Sequence, residues 1–187
     1  MLEPRDHLDP PPRRILIGAP AGAGKTTLAR EIENRTGLPH TEIDALFHGP
    51  GWTVRPRFHA EVDAFTARER WVTEWQYTTL LGPLLPERAD TLVWLDLPVH
   101  VHMVRLVRRT LHRRRHRVPL WSGNIEPPLR TILTDPEHIV RWGWKGRKKM
   151  RGRVVDAVSV YPHLRVVRLR SSREAMLWVR GLPRAQV

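Results

Sequence analysis

Short apolar runs alternate along the chain with segments in which apolar residues recur at helical spacing. Nearly continuous apolar runs of this length are typical of strands that are covered on both faces. These runs predict strands at residues 13–18, 71–73 and 91–95. The short segment at residues 39–43 and the alternating charged and apolar residues at 164–169 suit strands as well, so the pattern predicts five strands in all. It also predicts helices at residues 25–36, 57–70, 80–89, 99–115, 154–160 and 172–178, the last one capped by Ser171 or Ser172.

This alternation predicts an α/β fold. Strands that alternate with helices form parallel sheets whose ligands lie at the carboxyl ends of the strands. We therefore expect three layers, α/β/α, around a five-stranded parallel sheet, all within one domain at residues 13–187. Residues 1–12 are predicted to be a flexible tail, and residues 119–153 show the least regular pattern.

The composition limits the kinds of site, location and partner that this domain can have. The 187 residues contain no cysteine, which excludes disulfides and cysteine-ligated zinc. No run approaches the roughly 18 apolar residues of a membrane-spanning helix, and the charged, proline-rich start is unlike a signal peptide. We therefore expect a soluble cytoplasmic protein without a membrane partner, either a monomer or a weak dimer. The formal charge of +13, nearly all of it from arginine, suits anionic partners.

The stretch GAPAGAGKTT at residues 18–27 joins the first predicted strand to the first predicted helix. A glycine-rich turn in that context is typical of a phosphate-binding P-loop, or Walker A motif. Gly22 and Gly24 allow backbone N–H groups to face phosphate oxygens. Lys25 can reach the β- and γ-phosphates of a nucleotide, and the Thr26 hydroxyl can ligate Mg²⁺. The predicted nucleotide site also includes Ala21, Ala23 and Thr27, the last as a contact for the phosphate nearest the ribose.

Three carboxylates end predicted strands and could serve a phosphoryl-transfer site. They are Asp44, Glu74 and Asp96. Such a site needs an acid that holds Mg²⁺ or its waters, and sometimes a base for the acceptor hydroxyl. Asp96 follows the most apolar strand and looks most like a Walker B aspartate by pattern, so the residues alone leave the choice open.

The order of these segments resembles adenylate kinases and other small nucleoside and metabolite kinases of the P-loop class. It is more similar still to small bacterial P-loop proteins described as topology modulation or adenylate-kinase-like proteins. The resemblance covers roughly residues 13–178, and the P-loop is its most specific motif. The other matching segments are residues 43–47, 51–52, 71–77 and 94–98, the last followed by an arginine-rich helix.

The resemblance implies roles for individual residues. In adenylate-kinase-like sheets the third strand neighbours the P-loop strand, which favours Glu74 over Asp96 beside Thr26 and Mg²⁺. Asp44 is then the acceptor-side carboxylate or base. Arg105 matches an arginine that stacks on the adenine of ATP, and Arg109 matches one that contacts the transferring phosphates.

The chain departs from these patterns at two positions. Ala19 stands where the strict P-loop has glycine, although alanine is a common alternative there. Trp75 stands where the related kinases have glycine after the acid, which predicts a narrower acceptor pocket or a stacking surface.

Two strongly basic segments leave alternatives open. Residues 105–117 contain seven arginines, and residues 141–153 contain seven lysines or arginines and no acid. They suit a mobile lid at about residues 110–153 whose arginines close over the γ-phosphate. The same charges suit a nucleic-acid backbone, with Trp142 and Trp144 stacking on bases, or simply a solvated face.

These observations favour a P-loop kinase that binds ATP and Mg²⁺ and transfers the γ-phosphate to a small-molecule or nucleotide acceptor. Lys25, Glu74, Asp44 and Arg109 are the expected catalytic residues, with Arg113 or Arg114 assisting Arg109. The alternative is a nucleotide-dependent regulatory ATPase that binds nucleic acid and has no small acceptor.

Overall fold

A parallel β-sheet forms the centre of the protein. The computed structural model describes residues 1–127 and 139–185, with the backbone alone at residues 139–145 and 147. In this part of the chain the sheet has four strands in the order β2-β1-β3-β4. They are β1 (Arg14–Gly18), β2 (Trp71–Glu74), β3 (Thr91–Leu95) and β4 (Arg165–Leu169).

The helices cover both faces of the sheet. Their bounds are α1 (Lys25–Thr36), α2 (Ile43–Phe47), α3 (Phe58–Thr66), α4 (Thr78–Leu81), α5 (Leu84–Arg88), α6 (Val99–Arg115), α7 (Ile139–Val160) and α8 (Ser172–Gly181). Two short 3₁₀ turns, Pro50–Trp52 and Trp121–Gly123, lie in the connections.

The sheet is buried on both faces because most residues of its strands are apolar and inaccessible to solvent. Ile15 and Ile17 of β1 point into a core with α1 and α8, whereas Leu16 points into a second core with α3, α5 and α7. This arrangement confirms the predicted α/β fold with three layers and a parallel sheet. Ser171 caps α8, since its side chain accepts a hydrogen bond from the Glu174 N–H at 3.1 Å.

The predicted second strand, residues 39–43, is wrong. His40 makes a single bridge to Val72, and the Thr41 N–H donates to the Val72 carbonyl at 3.0 Å. The chain then leaves the edge of the sheet, because the Ile43 N–H donates to the Glu74 carboxylate at 3.3 Å and α2 begins there. The sheet in the described chain therefore has four strands rather than five.

Two other predicted segments also differ from the structure. Residues 139–153, expected to be irregular, belong to the 22-residue helix α7. The predicted helix at residues 80–89 is split at Gly82 and Pro83 into α4 and α5, because Gly82 adopts a positive φ of 54° and Pro83 cannot donate a hydrogen bond to the preceding turn.

Residues 1–12, expected to be a flexible tail, lie against the sheet. The Leu2 N–H donates to the Val166 carbonyl at 2.7 Å, and the Leu2 carbonyl accepts from the Arg168 N–H at 3.0 Å. Leu8 is buried in the core beside Trp178. The tail is held because it extends the hydrogen bonding of the edge strand β4.

The predicted lid at about residues 110–153 includes residues 128–138, which lie outside the described residues. Residues 110–115 belong to α6, and residues 139–153 belong to α7. None of the helices in the described chain combines the length and apolar content that crossing a membrane requires.

Candidate active site

The P-loop lies between β1 and α1 and is enclosed by two other helices. Gly22 adopts a φ of 79°, and a Cβ atom added there would lie only 2.3 Å from the His102 carbonyl oxygen of α6. On the other side, a Cβ on Gly146 of α7 would lie 3.3 Å from Pro20. Helices α6 and α7 therefore fix the loop, and Gly22 is the residue that allows α6 to approach so closely.

Lys25 lies at the start of α1, with its ammonium group folded back over the P-loop. Its Nζ donates to the carbonyl oxygens of Ala19 at 3.2 Å and Pro20 at 3.4 Å. Burial lowers the pKa of Lys25, and Arg109 lowers it further, whereas Asp44 and Glu74 raise it. The ammonium group therefore lies close enough to Asp44, Glu74 and Arg109 to interact with them electrostatically.

Glu74, at the carboxyl end of β2, lies directly beside the P-loop helix. The Thr26 hydroxyl donates to Glu74 Oε1 at 3.1 Å, and His40 Nε2 lies 3.3 Å from the same oxygen. Burial raises the pKa of Glu74, but the contact and charge of His40, the Ile43 N–H and Lys25 outweigh that effect, and the net pKa is lowered. A buried but ionised carboxylate thus faces the first turn of α1.

Asp44, on α2, belongs to a second hydrogen-bonded group, which also contains Gln76, Tyr77 and His48. Its Oδ1 accepts from the Tyr77 hydroxyl at 2.5 Å and from Gln76 Nε2 at 3.1 Å. The Tyr77 hydroxyl also lies 3.1 Å from His48 Nε2. Burial raises the pKa of Asp44, and Glu74 adds to that effect, whereas Tyr77, Lys25 and His48 lower it; the net pKa is raised.

Arginines of α6 approach the same region. Desolvation and the charge of Arg113 lower the pKa of Arg109, whereas Glu126 and Asp44 raise it, so Arg109 interacts electrostatically with Asp44. Arg113 Nη1 lies 3.4 Å from the buried Glu126 carboxylate. Arg114 donates to the Glu126 carbonyl at 3.1 Å. This end of α6 therefore carries several positive charges, of which Arg109 interacts electrostatically with Lys25 and Asp44.

The chain is similar in sequence to proteins that are named as kinases. No protein-family model matches the chain. A shikimate kinase from Halorhodospira halophila is 29% identical, with a match that covers 81% of this chain and 96% of the relative. A cytidylate kinase from Nitratidesulfovibrio vulgaris is 38% identical over 42 residues, and the matched part of this chain spans only 18% of that relative's length.

Two solved structures share the architecture. Shikimate kinase from Aquifex aeolicus superimposes with a TM-score of 0.50 and 12% identity, covering 89% of this chain and 91% of that one. Shikimate kinase from Bacteroides thetaiotaomicron gives a TM-score of 0.50 and 13% identity, covering 90% of this chain and 95% of that one. The chain has the P-loop kinase fold.

Within this P-loop kinase fold, Asp96 and Arg105 have partners away from Glu74. The Arg168 guanidinium contacts the Asp96 carboxylate and also lies 4.8 Å from the centre of the Trp94 ring. Arg105 donates to the Ser172 hydroxyl of α8 at 2.9 Å. The structure therefore brings Glu74, rather than Asp96, to Thr26, while Arg105 lies on the α8 side of α6.

The Trp75 side chain is buried and offers no exposed stacking surface. It lies in the core that contains Leu16 and Met150. A Cβ on Gly18 would lie 3.4 Å from its ring, and the Arg153 guanidinium lies 5.5 Å from the ring centre. Trp75 therefore packs beneath the start of the P-loop, because that space is apolar and enclosed.

The sequence analysis missed several side chains that complete the site. His40 contacts Glu74, His48 contacts Tyr77, and the buried Glu126 contacts Arg113. Closeness in the sequence could have indicated His48, since it lies four residues after Asp44 and directly follows the end of α2. His40 and Glu126 could not be found in this way, because only the folded chain brings them to their partners.

Proposed function

We propose that this protein is a kinase that transfers the γ-phosphate of ATP to a hydroxyl group of a small acceptor. One observation carries the proposal: Thr26 Oγ1 of the P-loop helix lies 3.1 Å from the ionised Glu74 carboxylate. This pair lies beside Lys25 and Asp44, so the groups that would bind phosphate, metal and acceptor lie together at the carboxyl ends of the strands.

The P-loop would bind the phosphates of ATP. Its backbone N–H groups at residues 21–27 and the positive end of α1 attract phosphate oxygens. Lys25 would move from the carbonyl oxygens of Ala19 and Pro20, which it contacts at 3.2 and 3.4 Å, to the β- and γ-phosphates. Thr27 would contact the phosphate nearest the ribose, and Arg105 would leave Ser172 to stack on the adenine.

Thr26 and Glu74 fit a magnesium ion. Both present oxygen atoms, and Mg²⁺ is commonly bound by one or two protein oxygens together with waters and substrate phosphates. The described residues contain no group of three or more His, Cys, Asp and Glu side chains placed to hold a metal, which suits a metal held jointly with ATP. Bound Mg²⁺ would neutralise charge on the β- and γ-phosphates.

Asp44 and Arg109 would act on the acceptor and the transferring group. Asp44 would take the proton of the acceptor hydroxyl while the oxygen of that hydroxyl bonds to the γ-phosphorus. The bond from that phosphorus to the bridging oxygen of ADP breaks, and ADP keeps the electron pair. Arg109, assisted by Arg113 or Arg114, would stabilise the negative charge on the transferring phosphoryl group.

The similar proteins support the class of reaction. Those described above bear the names shikimate kinase and cytidylate kinase. A small hydroxylated metabolite or a nucleotide is therefore the class of acceptor that we propose.

The proposal is tested by MgATP-dependent ADP formation with a panel of small acceptors. We expect Arg109→Ala to lower kcat by about 100-fold or more, because an arginine on the transferring group acts mainly in the transition state. Arg108→Ala is the matched control, since it removes the neighbouring exposed arginine of the same helix. Equal activity of the two variants would contradict the role of Arg109.

A further inference from the structure

Three aromatic rings stand together on the acceptor side of Asp44. The His48 ring stacks on Trp121, with ring centres 5.2 Å apart, and meets Trp52 edge-on at 5.0 Å. The two tryptophan rings are 6.5 Å apart. We call these three residues the aromatic wall. Because His48 contacts Tyr77, whose hydroxyl donates to Asp44, the wall adjoins the expected base.

The aromatic wall is built from two distant segments that are tied together. The buried Asn124 donates from Nδ2 to the Gly49 carbonyl at 2.8 Å, and its Oδ1 accepts from the Trp52 N–H at 3.1 Å. The Ser122 hydroxyl donates to the His48 carbonyl at 2.8 Å. These bonds fix the segment after α2 to the segment after α6.

Strained backbone accompanies this assembly. Trp52, Tyr77 and Ser122 have φ values of 63°, 51° and 56°. The left-handed region is strained for residues other than glycine. In the described chain Arg117 is the one other non-glycine residue with a positive φ. Trp52 belongs to the aromatic wall, Ser122 directly follows Trp121, and Tyr77 contacts His48. This clustering of strain in and beside the wall points to a function beyond packing.

The aromatic wall is also left partly open. Trp52 is 37% exposed, and Trp121 is half-buried, although both are large apolar rings. Aromatic rings offer broad faces for stacking on other rings and for contacts with apolar C–H faces. A ligand that lies on these faces would have the Tyr77–Asp44 pair at its edge.

We infer that the acceptor is a hydroxylated ring compound whose ring lies against the aromatic wall while one hydroxyl points to Asp44. This inference rests on the proposed function and makes it more specific. An open-chain acceptor would gain little from the wall, because it has no flat face and loses more conformational freedom on binding. Trp52 and Trp121 would determine specificity, and Asn124 would be a positioning residue.

The test compares matched acceptors under saturating MgATP. The ring compounds are myo-inositol, shikimate and cytidine, and the open-chain compounds are glucitol and gluconate. The KM values for ATP and for the best acceptor are then measured in Trp52→Ala, Trp121→Ala and Asn124→Ala. Leu177→Ala, which removes an exposed apolar side chain of α8, is the control.

We expect turnover of a ring compound and an acceptor KM that rises about tenfold in the three variants, with the KM for ATP unchanged. A variant that only loosened the fold would change both KM values. The inference would be overturned if none of the ring compounds were phosphorylated, whether or not an open-chain compound was. It would also be overturned if the acceptor KM were unchanged in both tryptophan variants. Open-chain turnover that requires Lys25 would leave the proposed kinase function intact.

Discussion

At the scale of single residues, the partners of each buried carboxylate decide how it ionises. Burial raises the pKa of Glu74, but the contact and charge of His40 and the Ile43 N–H outweigh that effect, so its net pKa is lowered. The net pKa of Asp44 is raised, since burial and the charge of Glu74 outweigh Tyr77, Lys25 and His48. The two acids therefore suit different tasks: Glu74 stays charged, and Asp44 can exchange a proton.

This difference predicts the acidic limb of the pH profile. Asp44 must be ionised to accept the acceptor proton, and its raised pKa means that it becomes protonated at a higher pH than an exposed aspartate. We expect kcat/KM to fall as the pH is lowered through that pKa, with the limb absent in Asp44→Asn and kcat lowered there about 100-fold or more. The measurement is the pH profile of both proteins. An identical acidic limb in Asp44→Asn would show that another group is the base.

The roles of single residues were only partly predictable. The P-loop spacing indicates Lys25 and Thr26 because the motif is local and its chemistry depends on fixed offsets. The position of Glu74 follows from which strand lies beside β1, which the resemblance supplied. The partners of Glu74 and Arg113, namely His40 and Glu126, depend on chain segments that no local pattern connects.

At the scale of secondary-structure elements, α6 packs closely against the P-loop and constrains its conformation. Gly22→Ala would add a Cβ atom 2.3 Å from the His102 carbonyl oxygen and 2.7 Å from Leu106 Cβ, at a φ of 79°. We expect it to destabilise the protein by about 2 to 4 kcal/mol and to abolish ATP binding.

The matched control for that variant is Gly51→Ala. Gly51 also has a positive φ, 63°, but a Cβ there meets nothing within 4 Å. Only the backbone penalty of about 1 kcal/mol should appear. Urea unfolding and ATP titration of both variants give the comparison, and equal losses of stability would mean that α6 does not constrain the loop.

The elements themselves were predictable where burial determines them. Strands β1 and β3 are covered on both faces, so their apolar runs predicted them. The short segment at residues 39–43 was also expected to be a strand, but it pairs with β2 through a single bridge. Its apolar residue, Ile43, instead begins α2 against the core. Apolar content shows burial, but it does not show how many hydrogen bonds a segment makes with the sheet.

At the scale of the whole molecule, the first residues contribute to the folded domain. Proline-rich and charged composition predicted a flexible tail, but Leu8 is buried among core residues of α8 and Leu2 pairs with β4. We expect Leu8→Ala to lower the free energy of unfolding by about 2 to 3 kcal/mol. The exposed neighbour His7 gives the control, and His7→Ala should change stability by less than about 0.5 kcal/mol. Two equally small effects would support the flexible tail after all.

The whole site combines the P-loop helix, β2, α2 and α6 around one edge of the sheet. We propose that at this site the γ-phosphate is transferred from ATP to an acceptor rather than to water. The most direct measurement is the stoichiometry of ADP, phosphorylated acceptor and inorganic phosphate in one reaction with Mg²⁺, with Lys25→Ala as the inactive control. We predict ADP and phosphorylated acceptor in equal amounts, and neither product with the variant. Slow formation of ADP and inorganic phosphate in equal amounts, independent of any small acceptor, would contradict the kinase function.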